Sequence, residues 1–290
     1  MLVSQALPQK KYVAALAHSS TPEFRKKRDT AIARIREWAA SPQINRRYPP
    51  AIWFSYGKDS MTTLILCSMA DVDVTALYIE NGGDLPQHQI VFDEFDRFLD
   101  YRKIVYETEY RYIDYLAIAK DWGRMNGVKT KDGKDIDFWD LGSMMDVVYW
   151  EVSDQFVGEY SNFEDDALYF SGKRGAEAMD RFYKFKSHGP FFREGDNNYH
   201  TFSGNPIYDW RDIDVWAFLI SVNCPVSPIY SYHAIPQKGG KQQFPRTYWY
   251  PEPVLMNGIY YRWLAHYAPA QLKEMLEFFP EIGSRLQNPG

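Results

Sequence analysis

Four apolar residues, Ala51-Ile52-Trp53-Phe54, run directly into the polar turn Ser55-Tyr56-Gly57-Lys58-Asp59-Ser60, and the turn into the largely apolar segment Met61–Ala70. The first run is short enough for a buried strand, and the last is long enough for a helix beginning at Asp59 or Ser60. A strand, a tight turn and a helix in that order constrain the chain more than any other stretch. They aim backbone N–H groups and the positive end of a helix dipole at one point, which favours an anion, most commonly phosphate. Lys58 adds a mobile positive charge there, and Ser55 and Ser60 add hydroxyl donors. The alternative is an ordinary turn whose Ser or Asp caps the helix.

The pattern continues downstream. Val72–Ile79 reads as a second strand, ending in the turn Glu80-Asn81-Gly82-Gly83-Asp84. A helix from Pro86 to Tyr101 carries Ile90, Phe95, Phe98 and Leu99 on its apolar side, and Lys103–Thr108 reads as a third strand. Strands alternating with helices predict an α/β fold with a doubly wound, mostly parallel sheet flanked by helices. Ligands of such sheets bind at the carboxyl ends of the strands. Glu80 stands at that edge, where an acid holds a ribose hydroxyl or a metal, or only shapes the turn. Tyr112–Lys120 continues as a helix, residues 123–137 read as a surface loop or lid, and residues 138–160 as one long or two short helices. The strand Ala167–Phe170 then opens into Ser171-Gly172-Lys173-Arg174-Gly175-Ala176-Glu177, a second strand-turn-helix with two adjacent cations. Arg174 and Arg181 share a helical face. An Arg fork suits a tetrahedral anion, although a solvated basic turn has the same composition.

Residues 1–20 show no regular pattern. Ser20-Thr21-Pro22-Glu23 signals a helix start, and Lys26, Lys27, Arg28, Arg34 and Arg36 make that helix basic. Its charges mark a solvated face or a contact with phosphate or nucleic acid. The expected organisation is an N-terminal helical segment over residues 1–48, a nucleotide-binding α/β domain over 49–233, and a C-terminal loop and helices over 234–290. A net charge of −5 argues against a broadly basic nucleic-acid surface. The two cysteines, Cys67 and Cys224, exclude a four-Cys zinc or iron–sulfur site within these residues. No stretch approaches eighteen uninterrupted apolar residues, so the expectation is a cytoplasmic protein with no membrane partner.

The turn Ser55–Ser60 is not a Walker loop, which needs two glycines ahead of its Lys. It resembles Ser-Gly-Gly-x-Asp-Ser, the PP-loop of ATP pyrophosphatases, and in particular the branch similar to phosphoadenosine-phosphosulfate (PAPS) reductases, where Lys precedes the Asp. Tyr56 replaces a Gly of that pattern. Glu80-Asn81-Gly82 with Leu85-Pro86 looks like a degenerate Asp-Thr-Gly block; Gly172, Arg174 and Glu177 match a Gly-x-Arg block with its acid. Pro206-Ile207 through Trp210 to Asp214-Val215-Trp216, and Pro228-Ile229-Tyr230, match two further blocks. The resemblance implies an adenine nucleotide alpha hydrolase-like fold that binds ATP with Mg²⁺ and cleaves it to AMP and pyrophosphate to activate an acceptor.

The same resemblance implies that Ser55, Tyr56, Gly57, Lys58, Asp59 and Ser60 cradle phosphate, with Glu80, Gly172, Lys173 and Arg174 completing the nucleotide site. Lys58, Asp59 and Arg174 are the catalytic candidates, and Asp59 the candidate for Mg²⁺. Classical PAPS reduction needs a C-terminal thiol, and no cysteine follows Cys224 in these residues. The acceptor implied is DNA, as in DNA phosphorothioation, or a small sulfur or phosphate compound. FMN adenylyltransferase activity and a nucleotide-binding subunit that serves a protein partner are the other readings.

Overall fold

The structure, a computed structural model, describes residues 1–47, 49–81, 86–102, 107–113, 166–195, 200–231, 235–236, 242–243, 258–278 and 283. The loop, lid and helix expected within residues 114–165 therefore lie outside the described residues, as do residues 237–241 of the C-terminal loop. By its contacts the chain divides into two compact units. The first comprises Met1–Ile79, Ile90–Arg111 and Phe156–Ser231; the second comprises Glu80–Gln89, Tyr112–Gln155 and Tyr232–Gly290.

A six-stranded sheet organises the fold, built from β1 (Ala51–Phe54), β2 (Thr75–Asn81), β3 (Glu107–Ile113), β4 (Ala167–Phe170), β5 (Phe191–Gly195) and β6 (His200–Gly204) in the order β3-β2-β1-β4-β6-β5. β1 pairs in parallel with β2 through Ala51–Thr75 to Phe54–Tyr78, and with β4 through Ala51–Tyr169 and Ile52–Phe170. β4 and β6 are also parallel, and only β5 runs antiparallel, against β6. The strand order reverses between β1 and β4. In open α/β sheets ligands bind outside the carboxyl ends of the strands at such a reversal.

Three expectations change. β2 continues through Glu80 rather than turning at it. Residues 103–106 of the expected third strand lie outside the described residues, and β3 holds Tyr112 and Ile113, which the expected helix had claimed. Residues 1–20 are helical, forming α1 (Val3–Ala6) and α2 (Gln9–Ser19). Only Ala15 of α2 is buried, so the helix has almost no apolar stripe for sequence periodicity to detect.

Helix α3 (Pro22–Ala39) starts where Thr21 accepts a hydrogen bond from the Phe24 N–H at 3.2 Å. Its basic face is largely paired. Lys27 donates to Asp214 at 2.7 Å, Arg34 grips Asp209 at 2.9 and 3.0 Å, and Arg36 donates to the Ala70 carbonyl at 3.0 Å. Lys27 and Arg34 are thereby partly withdrawn from solvent, while Arg36 stays exposed. Helix α4 (Lys58–Met69) buries every residue from Ser60 to Cys67, packing against α3, β1 and α7 (Asp212–Ser221). Helix α5 (Pro86–Arg102) contributes Val91, Phe95 and Leu99 to the same core, and α6 (Met179–His188) follows the β4 loop. In the second unit, α8 (Gly258–Tyr267) packs against α9 (Pro269–Phe278), with Tyr261, Leu264 and Leu272 buried. The short strands β7 (Ile235–Pro236) and β8 (Gln242–Gln243) pair antiparallel. No helix among the described residues is long and apolar enough to cross a membrane.

Candidate functional site

β1 ends at Phe54, and the chain turns through Ser55, Tyr56 and Gly57 before α4 begins at Lys58. Tyr56 makes the turn possible with a left-handed backbone, φ 51°. That conformation is unfavourable for a non-glycine residue. It is held by burial of the ring among Phe54, Phe92, Phe95 and Tyr78, at centroid distances of 4.5, 4.0, 5.9 and 5.2 Å. The tyrosine side chain thus leaves the inside of the turn and enters the core. Ser60 closes the turn from within: its hydroxyl donates to the Gly57 carbonyl at 3.0 Å and accepts from the Ser55 N–H at 3.2 Å.

The β4 loop reaches the same place. At Gly172 a Cβ would sit 2.7 Å from the Asp59 backbone carbon and oxygen, so only glycine lets the two corners touch. Arg174 follows, 4% exposed, with its Nε 2.8 Å from Asp59 Oδ1. The contact is a close, buried ion pair. Both atoms are buried and have no aligned partner among the described residues. Arg174 also donates to Glu177 at 3.0 Å, and Arg181, one turn further, donates to Glu177 as well. The two arginines do not share a helical face as expected, because Arg174 is extended ahead of the short turn Gly175–Glu177 and Arg181 lies on α6, but both converge on one acid.

Lys58 Nζ donates to Asp59 Oδ2 at 2.5 Å and lies 3.7 Å from Asp212 Oδ1, which is itself 3.8 Å from the Arg174 guanidinium. Burial works against the Lys58 ammonium, but Asp59, Tyr230 and Asp212 outweigh it and raise its pKa. Burial likewise opposes the Arg174 charge, and Asp59, Glu177 and Asp212 together hold its pKa up. Asp212 is pushed up by burial and pulled down further by Lys58, Lys11 and Arg174, so it stays ionised. The result is a close array of opposite charges at the switch point, able to exchange internal partners for a phosphate.

Of the sequence-derived residues, Ser55, Gly57, Lys58, Asp59, Ser60, Gly172 and Arg174 come together at these two corners. Lys173 does not join them. It is exposed over much of its surface and faces Glu194, Lys184 and Arg181; shielding of the remainder lowers its pKa against the pull of Glu194. Glu80 lies on β2, and its side chain is outside the described residues, as are Gly82–Leu85. Three participants, Tyr230, Asp212 and Lys11, escaped the sequence reading of the site, and Glu177 was marked only as the acid of the Gly-x-Arg block. Tyr230 accepts the Lys58 N–H at 3.0 Å, and Asp212 takes its place through α7. Glu177 supports Arg174, and Lys11 reaches Asp212 from α2 at 2.7 Å. Asp212, Glu177 and Tyr230 fall in or beside recognisable blocks, whereas nothing near Lys11 signals a site. Among the described residues no group of three or more His, Cys, Asp or Glu side chains is placed to hold a metal ion.

Comparison with known proteins gives one relative of assigned sequence, an uncharacterized protein of Methanocaldococcus jannaschii, 25% identical over 183 residues. The match covers 63% of this chain and 33% of that protein, so the chain spans about a third of its length. Among solved structures, Candida glabrata FMN adenylyltransferase with FAD and pyrophosphate aligns at 12% identity and a TM-score of 0.45, covering 83% of this chain and 73% of that one. Candida auris PAPS reductase with phosphate aligns at 14% identity and 0.41, covering 71% and 89%. The decisive match is to a family model that spans residues 49–286, from the approach to β1 to beyond α9. With a PP-loop corner at β1 and a Gly-Lys-Arg corner at β4 inside that span, the chain belongs to the phosphoadenosine phosphosulfate reductase domain family.

Proposed function

We propose that this chain binds ATP at the β1 and β4 corners and cleaves it to AMP and pyrophosphate, transferring the adenylyl group to an acceptor. One observation carries the reading. Lys58 and the buried Arg174 converge on one point at the strand-order switch, with Arg174 Nε and Asp59 Oδ1 lacking aligned partners among the described residues. An acceptor oxygen attacks the α-phosphorus, forming an O–P bond. The bond from that phosphorus to the bridging oxygen breaks, and pyrophosphate leaves with the electron pair. Lys58 and Arg174 neutralise charge that grows on the phosphate oxygens, in a shielded place where each such contact counts for more than in water. Asp59, whose buried Oδ1 retains acceptor capacity, is the residue that would hold a Mg²⁺ carried on the phosphates. Bound there, the ion would supply further charge neutralisation.

The acceptor class is a phosphate or sulfur oxyanion, with DNA phosphate, sulfate and FMN phosphate as candidates. The test supplies Mg²⁺–ATP with each of these and follows AMP and pyrophosphate release. The expected result is release that depends on one acceptor and falls by about 100-fold or more in Lys58→Ala and Arg174→Ala. ATP binding without AMP formation for any acceptor would leave the second reading, a nucleotide-binding subunit. That reading is favoured by the Tyr230 hydroxyl, which already takes the Lys58 N–H that a phosphate would otherwise receive.

A further inference from the structure

Asp212 occupies an awkward place for an anion site. Its Oδ1 stands 3.7 Å from Lys58 Nζ and 3.8 Å from the Arg174 guanidinium, in front of both cations yet beyond hydrogen-bond range of either. Its other oxygen, Oδ2, is held from behind by two donors. Lys11 Nζ lies 2.7 Å away and Trp216 Nε1 donates at 3.0 Å, while the Lys11 ammonium also sits 5.6 Å above the Trp216 ring. A shift of the carboxylate oxygen by about 1 Å would turn the two long approaches into direct ion pairs and block the cations from a ligand. Lys11 lies on α2, ahead of residue 49 where the family match begins, so this restraint comes from outside the matched span.

We propose that Lys11 is a positioning residue that tethers Asp212 away from Lys58 and Arg174, keeping both cations available to the phosphates of the ligand. The inference rests on the nucleotide-phosphate reading and deepens it. Lys11 acts through Asp212, and not by touching the ligand. Removing it frees the carboxylate to compete for Lys58 and Arg174, so anion affinity falls. Removing the carboxylate charge as well makes Lys11 irrelevant. Asn in place of Asp212 retains an oxygen for the Trp216 N–H, so the local fold is kept.

The experiment titrates the full chain with inorganic pyrophosphate by calorimetry in a double-mutant cycle. Lys11→Met is expected to weaken binding about fivefold, the upper range for a half-exposed ion pair. Asp212→Asn should tighten it, Lys11→Met in the Asp212→Asn background should change nothing further, and Lys11→Arg should bind like the parent. Equal weakening by Lys11→Met in both backgrounds would overturn the inference, because Lys11 would then act directly on the ligand. Binding that requires Lys58 but ignores Lys11 overturns the inference alone. If the parent chain fails to bind pyrophosphate, or Lys58→Ala binds it equally well, the phosphate reading falls and takes the inference with it.

Discussion

Tyr56 stands where the PP-loop pattern has glycine, and its backbone adopts the left-handed conformation that a glycine would supply without strain. The ring repays that strain by filling the space among Phe54, Tyr78, Phe92 and Phe95. The two contributions are separable by substitution. Tyr56→Ala loses the ring and keeps the strain, with an expected cost of about 3–5 kcal/mol in urea unfolding. Tyr56→Gly loses the ring but relieves the backbone, so it should be more stable than Tyr56→Ala by about 1 kcal/mol. The reverse order would mean that the turn is not strained. Gly172 poses the opposite problem, since any Cβ meets the Asp59 backbone. Gly172→Ala is expected to destabilise by about 1–3 kcal/mol and to weaken pyrophosphate binding, because the β4 corner is pushed off α4.

At the scale of elements, the N-terminal helices are fastened to α7 by one buried carboxylate. Asp214 is 0% exposed and accepts from Lys27 of α3 at 2.7 Å and from the Arg211 N–H at 2.7 Å; His18 Nε2 of α2 lies 2.7 Å away. Burial alone would raise the Asp214 pKa, but the hydrogen bonds from Lys27, Arg211 and His18 win and lower it below the usual 3.8. Asp212 is lowered for related reasons. A carboxylate depressed in the folded state stabilises the fold above its unfolded pKa and loses that contribution as pH falls through the folded value. The melting temperature is therefore expected to drop below about pH 4, and to drop less steeply in Asp214→Asn. At neutral pH, Asp214→Ala leaves Lys27 and His18 without their buried acceptor, which should cost about 3–5 kcal/mol in chemical unfolding. A loss below 1 kcal/mol would show that α2 and α3 are held by apolar packing instead.

Across the whole molecule, the two cysteines and the charged corners differ in what they offer to solvent. Cys67 and Cys224 are both fully buried, and burial pushes both thiols well above their ordinary pKa. Neither should react with a thiol reagent in the native protein, and both should react after denaturation. Rapid native labelling of either one would reopen reductive sulfur chemistry for this chain. The β1 and β4 corners, by contrast, gather three basic and three acidic side chains, Lys11, Lys58 and Arg174 with Asp59, Glu177 and Asp212. The site is thus nearly neutral overall, in keeping with a chain of net charge −5 that still offers an anion two directed cations.

The sequence by itself determined the strand–turn–helix at 51–69, the strand at 167–170 and the parallel sheet that joins them. Short apolar runs and helical periods are local signals, and they fix which backbone groups face the sheet edge. It also marked Lys58, Asp59, Gly172 and Arg174, because their roles depend on position within a turn. It left α2 unread, since a helix with one buried alanine leaves no stripe. It also ran a helix into the end of β3, and left the basic face of α3 open between solvent and a ligand. Only the tertiary structure decided that Tyr56 turns into an aromatic core, that Asp214 receives Lys27 and His18, and that Tyr230 and Asp212, with Lys11 behind it, meet the PP-loop. Those outcomes depend on which distant side chains the packed helices bring within a few ångströms, and no periodicity or spacing along the chain encodes that distance.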